Sequence, residues 1–322
     1  MAEIKDYLRR TFKHFNAAVV VDAARAWEEL IDAGGKMLLS MGGAMSTAEI
    51  GISLAELIRQ KKVHALCVTG ANLEEDVYNL IAHKSYRRVP NYRELGAREE
   101  MALCLEGFNR VTDTCIPENA ALQKIDRHML ALWHQAETKG ERLFPYEFFY
   151  RLLASKVLEP EYEIDPRDSW LLAACDAELP IWTPGWEDST LGNTFVSMAV
   201  KGEISDYSIV KNGLEQMREL IDWYVENDKQ SSLGFFQIGG GITGDFAICV
   251  VPILKQDLKL PCDYWRYFCQ ISDSTTSYGS YSGAVPNEKI TWGKIDVDTP
   301  RFVIESDATV VFPLIAAYLL DR

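Results

Sequence analysis

Short apolar runs alternate along this chain with segments whose apolar residues recur at helical spacing. The apolar runs have the length of buried strands and lie at 63–68, 180–182, 235–238, 267–271 and 302–304. Helical spacing is found at 21–33, 46–61, 99–108, 121–135, 146–156, 169–177 and 207–227. This alternation predicts an α/β fold, with a mainly parallel sheet that carries helices on both faces.

The chain contains no repeat and no linker rich in Pro, Gly or Ser, so one domain is the better interpretation. We expect a single domain over residues 1–322, with a helical N-terminal segment at 1–45 and an α/β core at 46–322. A chain of this length buries roughly 75% of its unfolded surface, so that it needs no metal or disulfide to fold.

Small and polar residues cluster where several predicted strands end, at 69–72, 185–193, 239–241 and 273–277. Ligands of open parallel sheets bind beyond the carboxyl ends of the strands. Four such loops are more typical of a dinucleotide site than of ordinary turns. The glycine fingerprint of such sites is only partly met by residues 239–244, and taken alone these glycines are better explained by a tight strand-to-helix turn.

The charge balance and the cysteines narrow the class of protein. With 33 basic and 47 acidic residues the formal net charge is −14, which argues against nucleic acid as a partner and suits a cationic substrate. Seven cysteines at irregular spacing in apolar runs are typical of reduced thiols. No apolar run reaches the roughly 18 residues of a membrane span, and the N-terminus lacks a signal sequence. We therefore expect a soluble cytoplasmic protein with no membrane or nucleic-acid partner.

Most common catalytic motifs are missing from the sequence. The five histidines and the cysteines lack metal-ligand spacing, so no metal is expected, and no nucleophile elbow or Walker A loop occurs. The acidic triplet Glu74-Glu75-Asp76 fits the first turn of a helix, where carboxylates complement the helix dipole, and such a turn can also lie at a ligand site.

Lys294 is the residue that composition explains least. It ends the run Trp292-Gly293-Lys294, between apolar neighbours. Lysines are almost always solvated surface groups. In a partly dry pocket beside Trp292, however, a lysine would become a nucleophile in imine chemistry.

At these residues the sequence resembles the deoxyhypusine synthase family, over nearly the whole chain. The matching segments are 68–76, 239–241, 279–284, Glu288 with 291–295, and 306–308 before 311–314. The resemblance implies a Rossmann-like fold that binds NAD and oxidises spermidine with release of 1,3-diaminopropane. It also implies that Lys294 is the catalytic lysine, which holds the aminobutyl group as an imine before an acceptor amine receives it. A homotetramer with active sites between paired subunits is expected on the same ground.

The resemblance also indicates which residues line the NAD pocket. They are Ser46, Thr47, Thr69, Gly70, Ala71, Glu75, Asp188, Gly240, Gly241, Asp273, Ser274, Gly279, Ser280, Ser282, Asp307 and Ala308. Acidic side chains among them can accept hydrogen bonds from ribose hydroxyls and would repel the extra phosphate of NADP.

Several positions depart from the family pattern where the polyamine is held. The family's loop Asp-Gly-Ser-Asp-Ser-Gly has tyrosine here at Tyr278 and Tyr281, and the acid of its Ser-Leu-Gly-Asp run is Asn193. Its His-His pair after the triple glycine is Asp245-Phe246. We expect the chemistry to be kept and leave the identity of the substrate open, with Asp245 and Glu288 as candidate replacement anchors. The candidate substrate-binding residues are Asn193, Asp245, Tyr281, Glu288 and Trp292.

The favoured function is an NAD-dependent aminobutyltransferase of polyamine metabolism. Two acceptors remain open: putrescine, which would give homospermidine, and a lysine of a translation factor, which would give deoxyhypusine. The small amine is slightly favoured, because the changed positions face the polyamine. The alternatives are a non-catalytic member that binds NAD or polyamine, and a simple NAD-dependent amine dehydrogenase.

Overall fold

Successive residues of the central strands face opposite sides of the sheet, and both sides are buried. In the computed structural model, which describes residues 3–276 and 279–321, Met37, Leu39 and Met41 join one apolar cluster and Leu38 joins another. Strands that are dry on both faces need apolar residues at nearly every position, which explains the short continuous runs in the sequence. The predicted α/β fold with helices on both faces is confirmed.

Six parallel strands form the main sheet, in the order β6-β2-β1-β7-β8-β9, and three short antiparallel strands form a second sheet in the order β3-β5-β4. The strands are β1 Lys36–Met41, β2 Ala65–Val68, β3 Arg87–Arg88, β4 Phe108–Val111, β5 Thr114–Pro117, β6 Ile181–Trp182, β7 Leu233–Ile238, β8 Tyr267–Ser272 and β9 Arg301–Glu305. Because β2 and β7 pair on opposite sides of β1, the chain changes direction across the sheet at the β1–β7 pair. A ligand crevice forms at such a switch point.

Helices cover the sheet on both faces. They are α1 Glu3–Thr11, α2 Phe15–Asp32, α3 Gly51–Arg59, α4 Gly70–Ala82, α5 Ala97–Leu105, α6 Gln123–Lys139, α7 Pro145–Ala154, α8 Trp170–Asp176, α9 Thr190–Val200, α10 Gly213–Asp228, α11 Ile242–Ile248, α12 Val250–Pro252, α13 Glu288–Thr291 and α14 Ala308–Leu319. Buried residues of α2, α3 and α14 belong to the larger apolar cluster, whereas those of α10, α11 and α12 belong to the other. The two clusters are therefore the cores of the two faces.

Two parts of the β-structure, strand β1 and the small antiparallel sheet, were not predicted from the sequence. Residues 1–45 are not purely helical, because they supply β1, which lies between β2 and β7 in the sheet. The small antiparallel sheet was not expected, and the helix predicted at 99–108 ends at Leu105. The chain turns there at Gly107, whose φ of 81° suits glycine, and then enters β4.

Two predicted helices begin later than their apolar spacing suggests. The helix predicted from residue 46 begins at Gly51, because Ser46 is fixed in the preceding turns by hydrogen bonds to Asn72. The helix predicted from residue 207 begins at Gly213, where the Asn212 side chain accepts hydrogen bonds from the first-turn amides. In both cases polar side-chain contacts determine where the helix starts.

Within residues 3–276 and 279–321, no helix is long and apolar enough to cross a membrane. In the same part of the chain, no group of three or more histidine, cysteine, aspartate or glutamate side chains is placed to hold a metal ion.

Candidate active site

Lys294 lies at the bottom of a cavity, directly after the short helix α13. Gly293 ends the helix with a φ of 67°, and this turn directs Lys294 inward, so that the residue is only 6% exposed. The Nζ atom of Lys294 donates a hydrogen bond to Oδ1 of Asp245 over 2.7 Å. The lysine predicted to carry the chemistry is thus buried and paired with a carboxylate.

Asp245 reaches this lysine from α11, the helix that follows the triple glycine after β7. Its side chain is half exposed, which leaves it in contact with the cavity as well as with Lys294. The thiol of Cys249, one turn further along, lies 3.5 Å from the same carboxylate oxygen, and burial raises the pKa of this thiol. The carboxylate expected to anchor an amine therefore holds the chain's own lysine.

The Tyr281 ring forms one wall beside two ammonium groups. Its centroid lies 5.3 Å from Nζ of Lys294 and 4.7 Å from Nζ of Lys289. The Tyr281 hydroxyl donates to Oε1 of Gln237 over 2.9 Å, which fixes the ring. Tyr281 was expected to bind substrate, and a neutral tyrosine ring can hold an ammonium by cation–π contact. In this structure the ring contacts the lysines of the chain itself.

The cavity has a volume of about 240 Å³ and brings together most of the predicted substrate residues. The residues lining it are Asp245, Cys249, Gly279, Ser280, Tyr281, Ala284, Glu288, Lys289, Trp292 and Lys294. Glu288 and Trp292 are exposed at its mouth. Lys289 and Cys249 were missed by the sequence analysis, because no local pattern marks either residue as part of a site.

Asn193 and Tyr278 stand apart from this group. Asn193 lies exposed on α9, where its amide donates to the Ser189 carbonyl over 2.6 Å, and it does not line the cavity. Tyr278 lies outside the described residues.

A second, larger cleft opens at the carboxyl ends of β1, β7, β8 and β9, with a volume of about 710 Å³. The expected NAD residues Thr47, Asp273, Asp307 and Ala308 line it. Its far side is formed by the turn between β4 and β5, so the small sheet borders the cleft. This is the position at which parallel sheets bind dinucleotides.

Two glycines at or beside this cleft, Gly42 and Gly240, leave no room for a side chain. A Cβ on Gly42 would lie 2.9 Å from the Gly240 carbonyl oxygen, and one on Gly240 would lie 1.9 Å from Oγ of Ser282. The side chain of Asp307 accepts hydrogen bonds from the amide and hydroxyl of Thr309 at the start of α14. Glycine backbone, a helix N-terminus and a carboxylate are the groups that dinucleotides use, so the cleft fits NAD.

The triple glycine separates the cleft from the lysine cavity. Gly239 lines the large cleft, and Gly241 lines a pocket of about 380 Å³ that shares Asp245, Cys249 and Tyr281 with the cavity. Two further expected NAD residues, Gly279 and Ser280, line the lysine cavity, whereas the Ser274 amide donates to the hydroxyl of Ser272, a residue of the large cleft, over 3.1 Å.

Other residues expected at the cofactor hold loops together. Ser46 is 1% exposed and bonded to Asn72, and the Thr69 hydroxyl caps α4 and donates to the Gly43 carbonyl. A Cβ on Gly70 would lie 2.6 Å from Cβ of Ser189, so α4 packs tightly against the next loop. Ala71, in the first turn of α4, and Asp188, exposed in the loop after β6, do not line the large cleft.

The acidic triplet is buried and joins three neighbouring segments to α4. Glu74 accepts from the amides of Thr190 and Leu191 at the start of α9, over 3.0 and 2.8 Å. Glu75 accepts from the Thr47 amide over 3.1 Å, and Asp76 accepts from Ser169 and from the Leu171 amide at the start of α8. Burial raises the pKa of each of these carboxyls to about 7. They organise the loops around the cleft.

These raised pKa values predict that stability falls as the pH rises. A carboxyl whose pKa is about 4 in the unfolded chain and about 7 in the folded protein binds more protons in the folded state. Its contribution to the free energy of unfolding is therefore full below about pH 4 and is lost as the pH rises past about 7. His64 makes stability rise with pH instead, because burial lowers its pKa to about 4 and the folded protein then binds fewer protons than the unfolded chain. We expect the pH dependence of the free energy of unfolding, measured in urea between about pH 5 and 8, to be flatter in Glu75→Gln than in the wild type.

The surface variant Glu29→Gln serves as the matched control and should leave the slope unchanged, since Glu29 is exposed. An identical slope in Glu75→Gln and the wild type would mean that Glu75 is ionised in the folded protein throughout this range.

Comparison with known proteins places this geometry in a family. The family model "DS: Deoxyhypusine synthase" matches residues 4–319. A deoxyhypusine synthase-like protein of Nostoc sp. is 28% identical, with 99% of this chain and 82% of the relative covered. "Probable deoxyhypusine synthase 1" of Archaeoglobus fulgidus is 24% identical over 96% of this chain and 90% of its own.

Solved structures share the fold at low sequence identity. A protein assigned as a deoxyhypusine synthase from Entamoeba histolytica superimposes with a TM-score of 0.56 at 13% identity, covering 95% of this chain and 88% of its own. A LOR/SDH protein from Methanococcus maripaludis gives a TM-score of 0.51 at 10% identity, covering 96% and 69%. The family match over nearly the whole chain confirms the predicted resemblance: the chain belongs to the deoxyhypusine synthase family, whose enzymes transfer aminobutyl groups from spermidine.

Proposed function

We propose that this enzyme is an NAD-dependent aminobutyltransferase that moves the aminobutyl group of spermidine, through an imine on Lys294, to a small free amine. The observation that carries this proposal is the buried Lys294 ammonium, 2.7 Å from the Asp245 carboxylate in a cavity of about 240 Å³. A lysine shielded from bulk water and held in one orientation is suited to imine formation.

The roles of the two side chains follow from amine chemistry. The Lys294 amine must lose a proton before it attacks the carbon of the oxidised C–N bond, and Asp245 is the carboxylate placed to take it. As the new C–N bond forms between this carbon and Lys294, the C–N bond to the rest of spermidine breaks. The departing nitrogen takes up a proton, and 1,3-diaminopropane leaves. The acceptor amine then displaces Lys294 from the same carbon, which restores the free lysine.

NAD would bind in the 710 Å³ cleft, where the glycine backbone after β1 and β7, Asp273, Asp307 and the start of α14 would hold it. When bound, it supplies the hydride acceptor for the oxidation and returns the hydride to the product within one cycle. The triple glycine lies between this cleft and the Lys294 cavity, which supports a shared active site.

A small acceptor is favoured over a protein lysine. The acids with which the family holds its polyamine are replaced here at Tyr281 and Asn193, and the cavity beside Tyr281 has a volume of only about 240 Å³. Putrescine is the simplest acceptor of this kind and would give homospermidine. Because Asn193 lies outside the cavity, its role in substrate binding would require a second copy of the chain, in line with the homotetramer that we propose.

Mass spectrometry of the amines tests this function. The enzyme is incubated with NAD, spermidine and putrescine, and in parallel with spermidine and a lysine-bearing translation factor. We expect homospermidine and equimolar 1,3-diaminopropane in the first mixture, with no net rise in NADH. Accumulating NADH without a transfer product would identify an amine dehydrogenase, and modification of the translation factor alone would identify a deoxyhypusine synthase.

The cleft also predicts a preference for NAD over NADP. Asp307 is an exposed acid at the cleft, and a carboxylate beside the ribose repels the extra phosphate of NADP. We expect kcat/KM to favour NAD by at least about tenfold and the preference to shrink in Asp307→Asn, whose amide oxygen still caps α14. Asp206→Asn alters a comparable capping aspartate outside the cleft and is the control. Equal use of both cofactors by the wild type would contradict this assignment.

A further inference from the structure

Lys289 is a buried ammonium that the proposed chemistry leaves unused. The residue is 2% exposed, lines the Lys294 cavity, and its Nζ has no hydrogen-bond partner among the residues that the structure describes. Its contacts are the faces of two rings, with centroids 4.7 Å away in Tyr281 and 4.9 Å away in Phe268. A buried ammonium without a hydrogen-bond acceptor is costly, so such a group calls for an anionic partner.

The acids near Lys289 do not supply that partner. Asp245, on α11, is bonded to Lys294, and Glu288 is exposed at the cavity mouth. Lys294 adds a like charge, and Tyr281 contributes a neutral ring that is bonded to Gln237. Burial, and then the charge of Lys294, lower the pKa of Lys289 to about 8, with Glu288 and Asp245 opposing this shift weakly.

The charges of the cavity suit an occupant with both signs. Two lysines balance the two acids that line it, Asp245 and Glu288. A plain diamine acceptor brings only positive charge and leaves Lys289 without an anionic partner. A molecule that combines an ammonium with a carboxylate can pair the carboxylate with Lys289 and the ammonium with Glu288 at the mouth.

We propose that Lys289 binds a carboxylate of the acceptor, which is therefore a diamino acid rather than a plain diamine. This inference rests on the proposed transfer to a small amine and narrows its substrate class. It makes Lys289 a specificity residue in the wall of the cavity, next to the lysine that carries the aminobutyl group. Ornithine and putrescine are the matched probes, since they share one carbon skeleton and differ by the carboxylate.

Calorimetric binding in the presence of NAD tests the inference without turnover. We expect ornithine to bind wild-type enzyme at least about tenfold more tightly than putrescine, equivalent to about 1.4 kcal/mol. Lys289→Met removes the charge in a side chain of similar length and should abolish the preference, whereas Lys289→Arg should retain part of it. Thermal melts establish that each variant is folded. Near pH 8, ornithine binding should take up a proton, because the carboxylate favours charged Lys289.

Two results would overturn the proposal: ornithine that binds no more tightly than putrescine, or a preference that survives in Lys289→Met. Amine products, measured after spermidine is added to the same mixtures of enzyme, NAD and ornithine or putrescine, report separately on the proposed function. If neither amine receives an aminobutyl group, the transferase assignment fails, while the binding data still decide whether Lys289 recognises a carboxylate.

Discussion

Replacing Lys294 with arginine should lower the rate of aminobutyl transfer by at least about 10³-fold, since the nucleophile itself is lost. The guanidinium keeps the positive charge and can still pair with Asp245, but it does not form the imine. The rate is measured as 1,3-diaminopropane and transfer product formed per enzyme. NAD binding should be nearly unchanged, because Lys294 does not line the large cleft.

Lys255→Arg provides the matched control for this substitution. Lys255 is partly buried, bonds to the Cys262 carbonyl and stacks on the Tyr264 ring, away from both the cavity and the cleft. This variant should transfer at close to the wild-type rate. Full activity in Lys294→Arg would exclude an imine on Lys294.

Gly240→Ala should reduce kcat/KM for transfer by about 100-fold or more, because displacements of about 1 Å in a site have effects of this size. The new Cβ would lie 1.9 Å from Oγ of Ser282 and 2.9 Å from its Cα, so the loop must move away from β7. Tyr281, next in the loop, lies beside Lys294 and would move with it. Overpacking of this kind also costs about 1–3 kcal/mol of stability, which urea unfolding measures.

Gly213→Ala is the corresponding control. A Cβ on Gly213, at the start of α10, meets nothing within 4 Å, so this variant should keep both stability and activity. Activity of Gly240→Ala within a few-fold of the wild type would show that the contact with Ser282 does not position the site.

The sequence predicted those parts of the fold that depend on strong local patterns. The runs at β7 and β8 are apolar at nearly every position because both faces of the sheet are dry, and this signal survives in the sequence alone. Trp292-Gly293-Lys294 likewise indicated a buried lysine, since an apolar neighbour and a glycine flank the charge. Here local pattern and tertiary environment agree.

Features that depend on distant partners could not be predicted in the same way. β1 is a strand because β2 and β7 pair with it on both sides, although it follows a helix after only three residues. Glu74 to Asp76 resemble a solvated helix turn until the starts of α8 and α9 bury them. Lys289 reads as a surface lysine of a short helix, and only the rings of Phe268 and Tyr281 make it a buried ammonium.

Borohydride trapping followed by peptide mapping tests the central claim most directly. The enzyme is mixed with NAD and spermidine, reduced during turnover, digested, and analysed by mass spectrometry. We predict one reduced aminobutyl group, on the peptide that contains Lys294, and no adduct when NAD is omitted. Continued formation of transfer product with no adduct on Lys294, or with the adduct on Lys289 instead, would contradict the account.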